Sequence, residues 1–342
     1  MPCAYAVQEG KPADAYIQLR GEVEAHGPTV PRGMPDFWKS DKPCTIPAVA
    51  SGRLQLAQWL TDPRNPLIAR VLVNRIWQHH FGKGIVTTPS NFGTRGDLPT
   101  HPELLDWLTA RFLAGGWSIK ALHREMMLSR TYQLSSSADD ANVSKDPGNR
   151  WYWHYDRRRL DAEAIRDTML ALSGQLDLSR PGAHPFPPID KWGWTQHNAF
   201  KEVYPTNHRS VYLMTQRLQR HPYLALFDGP DTNTSTEQRT NATVPQQALF
   251  LMNNPLIKTL AEGFARKLIQ SASAAPQRVE FAHQLAWSRP AEGVELEKGI
   301  WYVQEYKNRL AQAGVPRERQ ELEAWTSYAR ILLSANAFVY VD

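Results

Sequence analysis

Two carboxylates, Glu163 and Asp167, stand four residues apart with Arg166 between them and the basic run Arg157, Arg158, Arg159 just upstream. On a helix, spacings of three and four bring Glu163, Arg166 and Asp167 to one face. Paired carboxylates in unequal surroundings have their pKa values pushed apart and can serve as acid and base. The same residues equally form an ion-pair lattice that holds the arginines, and such lattices also perturb pKa values. A second constellation, Arg75 and His79, lies in VNRIWQHHFGKGIV (73–86), with His80 beside it and His101 farther on. Adjacent histidines on a helix point about 100° apart, so His79 and His80 do not readily share one ion, and no H-E-x-x-H occurs. Arg75, His79, Glu163 and Asp167 are the candidate catalytic residues.

Trp192 and Trp194 lie in a thirty-residue stretch, 180–209, with little regular period. A loop of that length in a compact domain is usually functional or disordered, and its aromatics favour an ordered lid. With Arg209 and Arg239, these tryptophans are candidate ligand-binding residues. Carboxylates beneath tryptophan platforms suit polysaccharide chemistry, and arginines suit anionic groups, which they grip bidentately. Arg209, Arg217, Arg220 and Arg239 also flank FDGPDTNTSTEQR, where Asp228, Asp231, Asn233 and Glu237 offer oxygen ligands. Calcium takes such ligands, but EF-hand spacing is absent, and Asx-turns or pairing with the arginines explain the same residues.

These residues need elements to position them. At 73–86, Asn65 and Pro66 have the types of an N-cap and first helical residue, which predicts a helix from Pro66. Leu67, Ile68, Val71, Leu72, Ile76, Trp77, His80 and Phe81 mark its core face, and Arg70, Asn74, Arg75, Gln78 and His79 its polar face. Gly82 and Gly84 end it. Further helices are predicted over 53–60, from the T-x-x-E capping box of Thr100 and Glu103, and from Ser118 to about Arg130 with Trp117 and Leu122 as a staple. Others run over 160–176, from the T-x-x-Q box of Thr243 and Gln246, and from Asn254 and Pro255, with three or four in 255–335. The last residues, 338–341, read as a short strand. In 1–50, two alternating stretches at 4–7 and 15–19 read as strands, and 27–47 is rich in Pro and Gly. The expected fold is mainly α: an irregular multi-helix domain with long loops over 51–342, preceded by a short β-rich appendage or linker over 1–50.

The totals bound the function. A chain of 342 residues buries a real core without metal or disulfide. With 39 Lys and Arg against 34 Asp and Glu, interspersed, it carries no nucleic-acid footprint. Cys3 and Cys44 are the only cysteines, enough for one bridge between them but for no zinc cluster. No apolar run is long enough to span a membrane, and the first residues lack a signal-peptide pattern. Neither G-x-G-x-x-G, Walker A, G-x-S-x-G nor C-x-x-C-H occurs, so Rossmann binding, P-loop chemistry, the serine elbow and covalent haem lack their residues. No cofactor is expected in this chain beyond a calcium ion at the acidic loop.

Several blocks together carry a resemblance. LAQWLTDPRNPLIARVLVNRIWQHHFGKGIV, NFGTRGDLPTHPELLDWLTARF, GWSIKALHREMMLSRTYQLSS, RRRLDAEAIRD, RSVYL and RTNATVPQQALFLMNNP resemble the planctomycete PSD1 domain family, also called DUF1553, over about 51–342. The resemblance implies a domain of unknown function within a large extracytoplasmic bacterial protein, following a PSCyt2 (DUF1549) domain and often a cytochrome c-like domain. IQLRGEVEAHGPTVPRGMP then resembles the linker just before PSD1, and partners are expected among those upstream domains. Two functions stay open: a docking or scaffold module, or a polysaccharide-binding or -processing domain. Whether the chain catalyses anything is left open with them.

Overall fold

A computed structural model describes residues 7–35, 45–184, 187–195, 197–198, 200–217 and 219–341. Cys3 and Cys44 lie outside the described residues, as does most of the expected strand at 4–7. The chain divides into two compact units, Met1–Tyr155 and Asp156–Asp342. Thirteen α-helices and two small two-stranded sheets make up the described residues, so the fold is mainly α. None of these helices is long and apolar enough to cross a membrane.

The first unit opens with an antiparallel hairpin, β1 (Ala15–Gln18) and β2 (His26–Val30). The stretch expected at 15–19 is thus a strand over 15–18, with Leu19 starting a 3-10 turn, and its partner is 26–30, drawn from the Gly- and Pro-containing segment. Helix α1 (Arg53–Leu60) follows, then α2 (Ile68–Phe81), α3 (Pro102–Ala114), α4 (Ile119–Met127) and α5 (Asp140–Lys145). Helix α2 starts two residues later than Pro66, although Asn65 Oδ1 still accepts from the Leu67 N–H at 3.0 Å and closes a preceding turn. Val73, Ile76, Trp77 and Phe81 enter a core with Leu105, Leu108, Phe112, Leu122 and Met126.

The polar face of α2 is only partly polar surface: Asn74 is fully buried and Gln78 nearly so. Asn74 accepts from the Val86 N–H at 2.8 Å and donates to the Val86 carbonyl at 3.0 Å, giving a buried backbone both partners it needs. This clamp fixes the Gly-rich turn. At Gly84 a Cβ would lie 2.7 Å from Asn74 Nδ2 and 2.5 Å from the Val86 carbonyl, so glycine is needed for the close approach.

Ser118 caps α4 by accepting from the Ala121 N–H at 3.3 Å, as its type predicts, although α4 stops at Met127 short of Arg130. The capping boxes at Thr100 and Thr243 do not form. Pro102 and Pro245 each take a first-turn position, which moves the cap to His101 and Val244. Thr100 instead bonds the Ile85 carbonyl, and Thr243 approaches the Tyr340 hydroxyl at 3.3 Å.

In the second unit, β3 (Arg158–Arg159) leads into α6 (Ala162–Leu172), shorter than the expected 160–176. After a long loop come α7 (Pro222–Leu226), α8 (Pro245–Asn253), α9 (Pro255–Ser271), α10 (Ala275–Trp287), α11 (Gly293–Gln312), α12 (Arg317–Ser334) and α13 (Asn336–Val339). Asn254 caps α9 by accepting from the Leu256 N–H at 2.9 Å. Ile257, Leu260, Ala261, Phe264, Ala265 and Leu268 of α9 are fully buried, at the helical spacing of a central packing element. They meet Ile165 and Met169 of α6 and Trp325, Leu332 and Leu333 of α12 in one core. The chain end returns as β4 (Tyr340–Val341), antiparallel to β3.

Candidate functional site

The sequence candidates fall in both units. Arg75 and His79 stand one turn apart on α2, Arg75 half-buried and His79 exposed. Glu163 and Asp167 stand one turn apart on α6 in the second unit.

Around α6 the side chains are committed to one another. Arg239 reaches Glu163 with both terminal nitrogens, at 2.6 and 2.9 Å, and lies 3.6 Å from Asp161. Burial pushes the Glu163 carboxyl up, but the Arg239 hydrogen bonds, its own backbone N–H and the guanidinium charge outweigh this and hold it below the usual range. Those same bonds raise Arg239. Glu163 is therefore an ionised carboxylate with its oxygens occupied, the reverse of a poised general acid.

Asp167 has a different fate. It accepts from the Ser210 N–H at 2.8 Å and from the Ser210 hydroxyl at 2.7 Å, which ties the end of the long loop to α6. Arg166, almost fully buried, donates to the His208 carbonyl at 3.0 Å, to Ser210 Oγ at 3.1 Å and to the Thr206 carbonyl. One backbone segment, 206–210, is thus held by two neighbouring helix residues. Burial depresses the Arg166 pKa, and the charge of Asp167 3.4 Å away opposes it.

A third pair joins Arg159 of the basic run to Asp228 of the acidic loop, a pairing the sequence did not single out. Arg159, 5% exposed at its side chain, meets Asp228 at 2.5 Å. It also donates to Gln247 Oε1 at 3.1 Å and to the Ala242 carbonyl. Asp228 takes a left-handed backbone, φ +59°, and accepts from the Ala242 N–H at 3.0 Å. Arg159, Ser210 and Gln247 carried no spacing signal, since their partners lie tens of residues away.

The acidic loop follows the same pattern. Asp231 accepts from Arg220 at 2.8 Å and from the Asn233 N–H at 2.9 Å as an Asx-turn, while Asn233 Nδ2 bonds the Arg217 carbonyl at 2.5 Å. Among the described residues no three of His, Cys, Asp and Glu gather as a metal-holding group. Trp192 is 54% exposed and 6.0 Å from Trp194, which packs edge-on to Phe200 at 4.6 Å. Arg209 is exposed and precedes a 3-10 turn, Ser210–Tyr212. The arginines have thus divided: Arg239 is structural by contact, and Arg209 stands at the surface.

A family model described as PSD1, a protein of unknown function (DUF1553), matches residues 52–302. The chain belongs to the PSD1 family. That match takes in α1 through the first half of α11, and so both the Asn74 clamp and the α6 ion pairs belong to the PSD1 region. No curated protein and no solved structure matches the chain.

Proposed function

We propose that this PSD1 chain is a non-catalytic helical module, a docking or scaffold domain of a larger extracytoplasmic bacterial protein that also carries cytochrome c-like domains. The observation that carries it is the commitment of both candidate carboxylates: Glu163 is gripped bidentately by Arg239, and Asp167 is occupied by the Ser210 amide and hydroxyl. Groups arranged this way fix loops to a helix, which is the work of a rigid platform. The extracytoplasmic setting and the haem-bearing neighbours rest on the family resemblance. Co-chromatography of the chain with the upstream haem-bearing segment of the same polypeptide tests the reading. Association at modest salt, retained by Glu163→Gln and Asp167→Asn variants that stay folded, is the expected result, and separate elution would remove its support.

A second reading, a polysaccharide-binding or -processing domain, is supported by the exposed Trp192 beside Trp194. Sugar rings stack on such indole faces. Co-sedimentation with insoluble polysaccharides that Trp192→Ala abolishes would favour it over docking.

A further inference from the structure

Helices α10, α11 and α12 enclose a groove of 590 Å³ that none of the sequence candidates touches. Its walls are Trp287, Trp301, Tyr302, Ile331 and Leu332. Trp301 is 64% exposed and Ile331 45%, so these large apolar groups face solvent across a concave surface rather than closing over it. A concavity of a few hundred cubic ångströms with aromatic walls and a few polar groups is the usual form of a small-molecule site.

Polar residues lie beneath these walls. His283, 2% exposed, has Nε2 3.1 Å from the Tyr328 hydroxyl, and Tyr328 is itself 5% exposed. Burial lowers the His283 pKa and raises that of Tyr328, so both are neutral near pH 7. His283 Nδ1 has no hydrogen-bond partner and stands 3.5 Å from Glu295. Glu295 is already taken by Arg289, at 2.7 Å to each oxygen, and by the Glu292 N–H at 2.9 Å. A buried polar atom left unpaired is rare in a structural core.

Gly299 makes this arrangement fit. It stands inside α11, where glycine is disfavoured by about 1 kcal/mol, and a Cβ there would come within 2.6 Å of the Tyr328 hydroxyl. The missing side chain lets Tyr328 lie against α11. At the rim, Lys298 is exposed and makes no ion pair among the described residues. It is the one cation lining the groove.

We propose that this groove is a binding site for a planar, mainly apolar ring compound carrying one anionic group, its rings against Trp287 and Trp301 and its anion at Lys298. This goes beyond the docking role and does not depend on it. Aromatic walls select a flat ring system over a flexible chain, because stacking adds to area burial. The charge at Lys298 selects an anion.

Titration of the full chain with 8-anilinonaphthalene-1-sulfonate, followed by energy transfer from tryptophan, tests the proposal. The expected result is saturable binding of one equivalent, with Kd on the order of micromolar. Trp301→Ala and Ile331→Glu should each weaken it by about tenfold or more, and Lys298→Glu by several-fold, while Trp107→Ala in the first unit leaves it unchanged. Because Trp301, Ile331 and Lys298 are exposed, these variants keep the core, and near-ultraviolet circular dichroism checks that they do. Non-saturable binding, or equal affinity in Trp301→Ala and Ile331→Glu, would overturn the site. Equal affinity in Lys298→Glu would overturn the anionic assignment. Tighter saturable binding of laurate than of the planar probe would overturn the ring-compound class. A dimer in sedimentation that Trp301→Ala dissociates would assign the groove to a second copy instead.

Discussion

Arg239 closes on Glu163 through both terminal guanidinium nitrogens across 76 residues of chain, so that the loop before α8 is fixed to the first turn of α6. Both side chains are about 30% exposed, which weakens the pair through solvent screening but leaves two charge-assisted bonds. Glu163→Gln and Arg239→Met should each lower stability by about 1 kcal/mol. A double-mutant cycle in urea should return a coupling energy of similar size. Additive effects would mean that the pair holds nothing.

The Arg159–Asp228 pair should be more sensitive, because it is more deeply buried. Asp228→Ala strands a buried guanidinium and removes the acceptor for the Ala242 N–H, so a loss of about 3–5 kcal/mol is expected. Asp228→Asn should lose less, since asparagine tolerates the left-handed backbone and still accepts hydrogen bonds. Urea midpoints measured at constant slope order the two variants.

Asn74 and Gly84 make a tighter test of the first unit. Gly84→Ala would drive a methyl group into the Asn74 amide and the Val86 carbonyl, and Asn74→Leu would leave the Val86 N–H and carbonyl unpaired. Each should cost about 2–3 kcal/mol. Thermal unfolding should show the loss in both, and a silent Gly84→Ala would contradict the clamp.

Stability should fall on both sides of a plateau at about pH 7–9. Burial lowers the pKa of His101, His221 and His283 below the ordinary 6.5. The unfolded chain therefore takes up these protons first, and the stability present above pH 6.5 is lost as pH falls. Glu163 is also depressed, and the Arg289 hydrogen bonds, working against burial, bring Glu295 to about 2, so a second loss follows below the ordinary 4.5. Burial raises Tyr223 and Tyr328 above their ordinary 10.0, so stability is lost again as pH rises beyond that value and the unfolded tyrosines ionise. Urea unfolding from pH 2 to 11 checks all three arms. His283→Gln should shrink the first acid step.

The mainly helical class was legible because apolar residues recur at helical spacing in 53–60, 68–81 and 255–271, and local rules set the caps at Ser118 and Asn254. Where two local rules competed, the stiffer one won. Proline at 102 and 245 took the first turn, and threonine lost its capping role. Asn74 looked like surface because its residue type is polar, whereas its role is set by Val86, twelve residues on. The α6 face was legible as a cluster of charges with an ion-pair lattice as one of its two readings, but the partners in that lattice were not. Glu163, Asp167 and Arg159 are paired with Arg239, Ser210 and Asp228, 43 to 76 residues away, and no periodicity encodes such partners. The groove over His283 and Tyr328 was hidden for the same reason, as it needs three helices together.

The proposed docking role is tested most directly by calorimetric titration of the chain with the haem-bearing segment that the proposal places beside it. Saturable one-to-one binding with Kd on the order of micromolar, unchanged in a folded Glu163→Gln, Asp167→Asn double variant, is the result expected of a module whose carboxylates serve structure. Absence of binding at concentrations of about 100 μM, well above such a Kd, would contradict it.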